Sequence, residues 1–299
     1  DLSYLKRAAV GGPFWCASLG ILVGFLGCAS SDRAPGDMHV ASFATEPPTT
    51  VLATHSAKGW TVRNGDERLL LTLNEDGNHR VPVFNGSWSG TWAGEVWEGV
   101  WTDSLRPNNY QVPVRLEPLA DAQPTSGTRD TTYWDTSEGL LVLEQADDSA
   151  WATISTPTGD YRHLAGTLVG NQLVLNTFDG SHLFRFNATL REDSLVQGQF
   201  LSGTHYRTAF EGVKRASQAH TWTSGRQNVV ADKLLFFGTN STGQVEVWNK
   251  ERLRRDGKTG IVVDIMGTWC PNCMDEARLM VSLADSFPDV QFLTLGYER

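Results

Sequence analysis

Leu164-Ala165-Gly166-Thr167-Leu168-Val169 runs into Gly170-Asn171, then Gln172-Leu173-Val174-Leu175, then Asp179-Gly180 and Leu183-Phe184-Arg185-Phe186. Short apolar-rich runs separated by pairs that tolerate positive φ are the signature of tight antiparallel hairpins. Outward from this stretch the rhythm continues at Leu195 to Leu201 and Tyr206 to Val213, and upstream at Leu69-Leu70-Leu71-Thr72-Leu73, Asp76-Gly77-Asn78 and Val81-Pro82-Val83-Phe84. Residues 59–216 therefore read as an antiparallel β-rich domain, closing as a sandwich or a barrel.

Trp88, Trp92, Trp97 and Trp101 alternate with Gly86, Gly90, Gly94 and Gly99 in the same domain. The odd step from Trp92 to Trp97 changes face unless Ala93-Gly94 turns a hairpin, which the spacing predicts. Two uses stand side by side, a ligand platform and cross-strand core packing, and packing is the one small sheets more often make of aromatics. Three polar loops carry Asp160, Arg162, Asp179, His182 and His205. Gathered in one cleft they would suit acid/base work; as hairpin turns, their Asp, Ser and Gly serve backbone geometry. The spacing of His163, His182 and His205 is not that of a zinc site.

The 299 residues carry 25 Lys and Arg against 34 Asp and Glu, a net charge of −9, with no basic cluster, so nucleic acid is not an expected partner. Lys6 and Arg7 precede an apolar run from Ala8 to Gly27 that has the layout of an export signal. Phe25-Leu26-Gly27-Cys28 ends it, and the small residue before the cysteine resembles a bacterial lipobox, with Cys28 as the lipid attachment point. Leu is not three residues before the cysteine as is usual there, and a plain signal peptide or retained anchor is the other reading. Residues 1–28 are thus expected to be the signal, 29–58 a Ser/Thr/Pro-rich flexible tether, and 217–243 a connector.

The last section changes pattern. Val245-Glu246-Val247-Trp248 reads as a strand, Lys250 to Asp256 as a short helix or turn, and Ile261 to Met266 as a buried strand. Asn272 to Phe287 reads as a helix with Ala277, Met280, Val281, Ala284 and Phe287 on one face, and Val290 to Leu295 as a strand parallel to the first. Between strand and helix stands Gly267-Thr268-Trp269-Cys270-Pro271-Asn272-Cys273. Two thiols two residues apart at a helix start can close a disulfide within one turn, and the helix N-terminus makes Cys270 the more acidic. Half a zinc site is the alternative, but no further cysteine or nearby histidine completes it.

Val262-Val263-Asp264 through Cys273 resembles the thioredoxin superfamily, most closely the TlpA-like (ResA-type) membrane-anchored thiol-disulfide oxidoreductases. The resemblance implies a nucleophilic Cys270, a resolving Cys273, Trp269 packed beside them and Pro271 holding the helix start. It also implies a buried acid at Asp264 that moves protons to and from Cys273, although many TlpA-like proteins carry another residue there. The loops near Asp160 and Asp179 look like the β-rich domain of some exported TlpA-like lipoproteins. The expected fold is α+β: the β-rich domain followed by a C-terminally truncated thioredoxin-like α/β module at 244–299. The expected function is thiol-disulfide exchange with protein disulfides in the cell envelope through the Cys-Pro-Asn-Cys pair, with reduction the favoured direction. The redox-active Cys270-Cys273 pair needs no other cofactor, and the partners are a protein disulfide substrate, a membrane-bound electron donor and, through the lipid anchor, the membrane. Low activity is expected of a module lacking the cis-proline loop of that family. Two rivals are a surface binding protein whose Trp-rich sheet takes a ligand, with the cysteine module as scaffold, and a peroxidase-type thiol enzyme.

Overall fold

Strands with one face in a closed barrel need inward side chains at every second position, and residues from Met38 onward meet that demand. The computed structural model describes residues 38–81, 84, 86–104, 106, 108–119, 128–156, 159–216, 235–240, 242–267 and 270–296. The described chain divides into two units: a larger one spanning 33–222 together with 268–276, and a smaller one formed from 223–267 and 277–299.

The larger unit holds two up-and-down barrels. In the first, β1 (Met38–Phe43), β2 (Thr49–Ser56), β3 (Gly59–Asn64), β4 (Glu67–Leu73), β5 (His79–Arg80), β6 (Gly86–Ala93), β7 (Val96–Asp103) and β8 (Tyr110–Pro118) pair in chain order. Antiparallel pairing of β1 with β8 closes the ring. Closure removes the unpaired edges that an open sheet would expose. Inside lie Phe43, Trp60, Val62, Leu71, Trp88, Trp97, Trp101 and Leu116, all essentially inaccessible to solvent. The hairpin at Ala93-Gly94 forms as its sequence predicts, with Gly94 at φ 62°, and sets Trp88 opposite Trp101 and Trp92 opposite Trp97.

The second barrel is built from β9 (Asp130–Thr136), β10 (Gly139–Ala146), β11 (Ser149–Thr156), β13 (Leu164–Val169), β14 (Gln172–Phe178), β15 (Leu183–Arg191), β16 (Ser194–Ser202) and β17 (Tyr206–Arg215). Pairing of β17 with β9 closes it, and the two-residue β12 (Gly159–Asp160) adds to β11. Its core stacks Phe186 on Phe200 at 4.5 Å between ring centres, with Phe210 against Phe186 and Trp134, Leu141 and Ile154 around them. Phe178, at the end of β14, leaves this barrel and enters the core of the first. It stacks on Phe43 at 5.3 Å and meets the edge of Trp101 at 5.4 Å. The Asn64 side chain holds it there, donating from Nδ2 to the Phe178 carbonyl (3.0 Å) and accepting the Phe178 amide at Oδ1 (3.3 Å). A buried main-chain N–H and C=O left unpaired would be costly, and one amide side chain bonds to both.

The smaller unit contains an antiparallel hairpin, β18 (Leu235–Thr239) with β19 (Val245–Asn249), and a helix α1 (Lys250–Arg255). It also contains β20 (Gly260–Met266) paired in parallel with β21 (Val290–Gly296), and the later turns of α2 (Pro271–Ser286).

Three expectations need correction. The fold is not α+β with a truncated thioredoxin-like module; it is nearly all sheet, built on two closed eight-stranded barrels, and no thioredoxin-like α/β module is evident. The physical reason lies in burial: an α/β module needs a parallel sheet covered on both faces. The β20–β21 pair leaves Ile265 70% exposed, and on α2 only Met280 of the predicted apolar face is buried, with Val281 61% exposed. Second, the stretch expected as tether supplies β1 and β2, because their inward positions are His39, Ala41, Thr49 and Ala53 beside Phe43 and Val51, small or polar residues that give no apolar period. Third, β18 falls within the expected connector. The export signal, Cys28 and most of the connector lie outside the described residues. Among the described residues no helix is long and apolar enough to cross a membrane.

Candidate functional site

The local sequence builds the cysteine site from its own turn. β20 ends at Met266, and α2 begins at Pro271, whose missing N–H costs nothing in a first helical turn. Cys270 thus sits at the position before the helix, with Cys273 one turn on, and the two form a disulfide with 5.3 Å between their Cα atoms. The Cys273 amide donates to Cys270 Sγ at 3.3 Å, and the Met274 amide to the Cys270 carbonyl at 3.2 Å. Helix-start amides aimed at a sulfur favour its anionic form once the pair is reduced. Both cysteines are half-buried. Trp269 lies outside the described residues, and Pro271 is described only as the first residue of α2. Asp264 stands within β20 opposite Thr294, half-buried, with Oδ2 enclosed and without a hydrogen-bond partner among the described residues.

A feature no local pattern announced surrounds the inter-cysteine residue Asn272. Its Nδ2 donates to the Asp160 carbonyl (3.1 Å) and to Asp160 Oδ1 (2.9 Å), and its Oδ1 faces Arg162 Nη1 at 3.5 Å. Arg162 Nη1 also pairs with Asp275 Oδ2 at 2.7 Å, and its Nη2 with Glu67. The Asp160 carboxylate accepts the Arg162 amide at 2.7 Å, which holds Arg162 in the left-handed region at φ 57°. The Arg162 side chain is only 13% exposed. Burial works against its charge, but Glu67 and Asp275 outweigh that and hold its pKa above the ordinary guanidinium value. These groups border a cavity of about 480 Å³ that also has Arg129 on its wall, paired with Asp66 and Glu144 and lying 4.0 Å over the Trp151 ring. Residues 160 and 272 are 112 positions apart in the chain, so only the tertiary structure brings them together.

The five polar loop residues do not form one cleft. Asp160 and Arg162 border the cavity just described, while Asp179, His182 and His205 lie with Asp103 and Arg106. Asp179 Oδ1 accepts the amides of Ser181 (2.9 Å) and His182 (2.6 Å), the turn-serving use of such a residue. Its Oδ2 meets His182 Nδ1 at 3.0 Å. Burial opposes the Asp179 charge, but His182 and the turn amides outweigh it and hold the carboxyl below its usual range; burial likewise opposes His182, and Asp179 outweighs it, raising the imidazole. His205 shifts the other way, lowered by burial and by the Arg106 guanidinium 2.9 Å from its Nε2. Among the described residues no group of three or more His, Cys, Asp or Glu is placed to hold a metal ion.

The Asp179–His182 pair carries a pH signature. A lowered carboxyl stabilises the fold above its unfolded value of about 3.9, and that contribution is lost as pH falls through the folded pKa. A raised imidazole stabilises below about 6.5, and its contribution is lost as pH rises through the folded pKa. The pair is therefore worth most between about pH 4 and 6.5. Asp179→Asn is expected to cost about 1–2 kcal/mol in that window and less on either side, read as the difference in Tm against the natural chain across pH 3–9. A difference that stays constant with pH would remove the ionised pair.

Three of the four clustered tryptophans, Trp88, Trp97 and Trp101, are buried core, and Trp92 is 37% exposed at the barrel end against Trp60 and His55. No protein-family model and no curated protein matches the chain.

Proposed function

We propose that this chain is an exported thiol-disulfide oxidoreductase that reduces protein disulfides in the cell envelope through Cys270 and Cys273. The observation that carries the reading is the disulfide itself: the two sulfurs are bonded across one turn at the start of a 16-residue helix, with a helix-start amide on Cys270 Sγ. The Trp269-Cys270-Pro271-Asn272-Cys273 run, which resembles the redox motif of TlpA-like proteins, adds to it. So does the apolar Ala8 to Gly27 run ending at Cys28, the basis for export and a lipid anchor.

In the reduced pair the Cys270 thiolate attacks one sulfur of the substrate disulfide, forms a mixed disulfide and releases the other substrate sulfur as a thiolate. Cys273, losing its proton, then attacks Cys270 Sγ; the second substrate thiol leaves and the Cys270–Cys273 bond re-forms. Two electrons pass to the substrate, and a dithiol donor at the membrane returns the pair to its reduced form. Asp264 is the candidate to take and return the Cys273 proton. The rival in which the Trp-rich barrel takes a ligand draws less support, since most of those tryptophans are core.

Equilibration against glutathione buffers, followed by alkylation and mass measurement, tests the reading. The pair is expected to titrate as one two-electron couple with a potential below the glutathione poise, and to accelerate insulin reduction by dithiothreitol. A pair that glutathione reduces completely would remove the reductase direction, and insulin reduction no faster than dithiothreitol alone would remove the enzyme.

A further inference from the structure

Arg162 and Asp160 link the second barrel to Asn272, the residue between the cysteines. Arg162 is largely buried, carries a full charge, and makes three contacts of different kinds: Glu67 at the start of β4, Asp275 from the second turn of α2, and Asn272 from between the cysteines. An ordinary structural ion pair would need only one of these. Asp275 is five residues beyond Cys270, about 8 Å along a helix axis. A carboxylate at that distance opposes a thiolate at the helix start, and the guanidinium cancels it.

We propose that Arg162 is a positioning residue for the redox pair: by neutralising Asp275 and fixing Asn272 between the cysteines, it holds the reduced Cys270 in its reactive thiolate form. This rests on the reading of Cys270 as the attacking thiol. The charged and titratable groups lining the cavity beside Asn272 are, from the second barrel, Arg129, Glu144, Asp160, Arg162 and His163; from the first, Asp66 and Glu67; and from α2, Asp275. Of these, Arg162 is the cation that contacts both the inter-cysteine residue and a carboxylate of the same helix. Asp160 fixes Asn272 from the other side, so the amide between the cysteines is gripped by a carboxylate and a guanidinium of one loop.

The test follows the rate of iodoacetamide alkylation of Cys270 against pH in the reduced full chain, resolved by site with mass spectrometry. In Arg162→Met the Asp275 carboxylate loses the guanidinium that offsets its charge, which raises the apparent Cys270 pKa, so alkylation near pH 7 is expected to fall roughly three- to tenfold with the alkaline plateau unchanged. Arg162→Met with Asp275→Asn restores most of the rate, and Arg162→Lys keeps it. Asp275→Asn alone, at a half-exposed side chain where folding is secure, increases the neutral-pH rate. An unchanged pH profile in Arg162→Met, or in Asp275→Asn should the first variant fail to fold, overturns the proposal, as does a double variant no faster than the single. The readout needs no substrate protein, so a chain lacking disulfide-exchange activity would still report on Arg162, and the two readings fail separately.

Discussion

Phe178→Ala is expected to lower the unfolding free energy of the larger unit by about 3–5 kcal/mol, within the range for deleting a fully buried phenylalanine. The ring is 1% exposed and is shared between barrels: its backbone belongs to β14 of the second, and its side chain closes the core of the first against Phe43, Trp88 and Trp101. Truncation leaves a ring-sized void at the end of a closed barrel whose strands are tied by their ladders and cannot collapse inward, which places the cost toward the upper end. Since whole domains are stable by only about 5–15 kcal/mol, this is a large share. Urea unfolding followed by tryptophan fluorescence measures it, because Trp88 and Trp101 line the void. A loss below about 1 kcal/mol would show that the ring does not seal the barrel.

Exchanging the two cysteines one at a time should give opposite outcomes. Cys273→Ser keeps the thiol that the helix start activates, so the variant attacks a disulfide substrate and stops at the mixed disulfide, which accumulates and is seen on a non-reducing gel. Cys270→Ser leaves a thiol one turn inside the helix and is expected to trap little or nothing, with insulin reduction falling to background. Equal trapping by both variants would deny the assignment of Cys270 as the attacking group.

The hairpins were readable wherever turn chemistry and an alternating apolar pattern agreed, as at Gly94, Gly170-Asn171 and Asp179-Gly180. They were not readable where the inward positions are small or polar: β1 and β2 place His39, Ala41, Thr49 and Ala53 inside, and these carry no periodic apolar signal. The cysteine pair and its helix were legible for the same local reasons, since a disulfide across two residues and a proline at a helix start are decided within one turn. The C-terminal elements were placed correctly, yet their assembly into a thioredoxin-like module was not supported, because strand and helix patterns do not say how many partners will cover them.

The Arg162 grip on Asn272 and Asp275 escaped local analysis altogether, for it joins Arg162 to a residue 110 positions away in the chain. Phe178 was visible as an apolar residue at a strand end, with nothing beside it to show that it would leave its own barrel for its neighbour's. What the amino-acid order determined alone is the β meander and the disulfide-bonded turn, both products of short-range sterics and helix-end geometry. Barrel closure, the shared aromatic core and the guanidinium that meets Asn272 and Asp275 were decided by tertiary structure, since each joins residues remote in the chain, the barrels through strand register and Arg162 through side-chain contact.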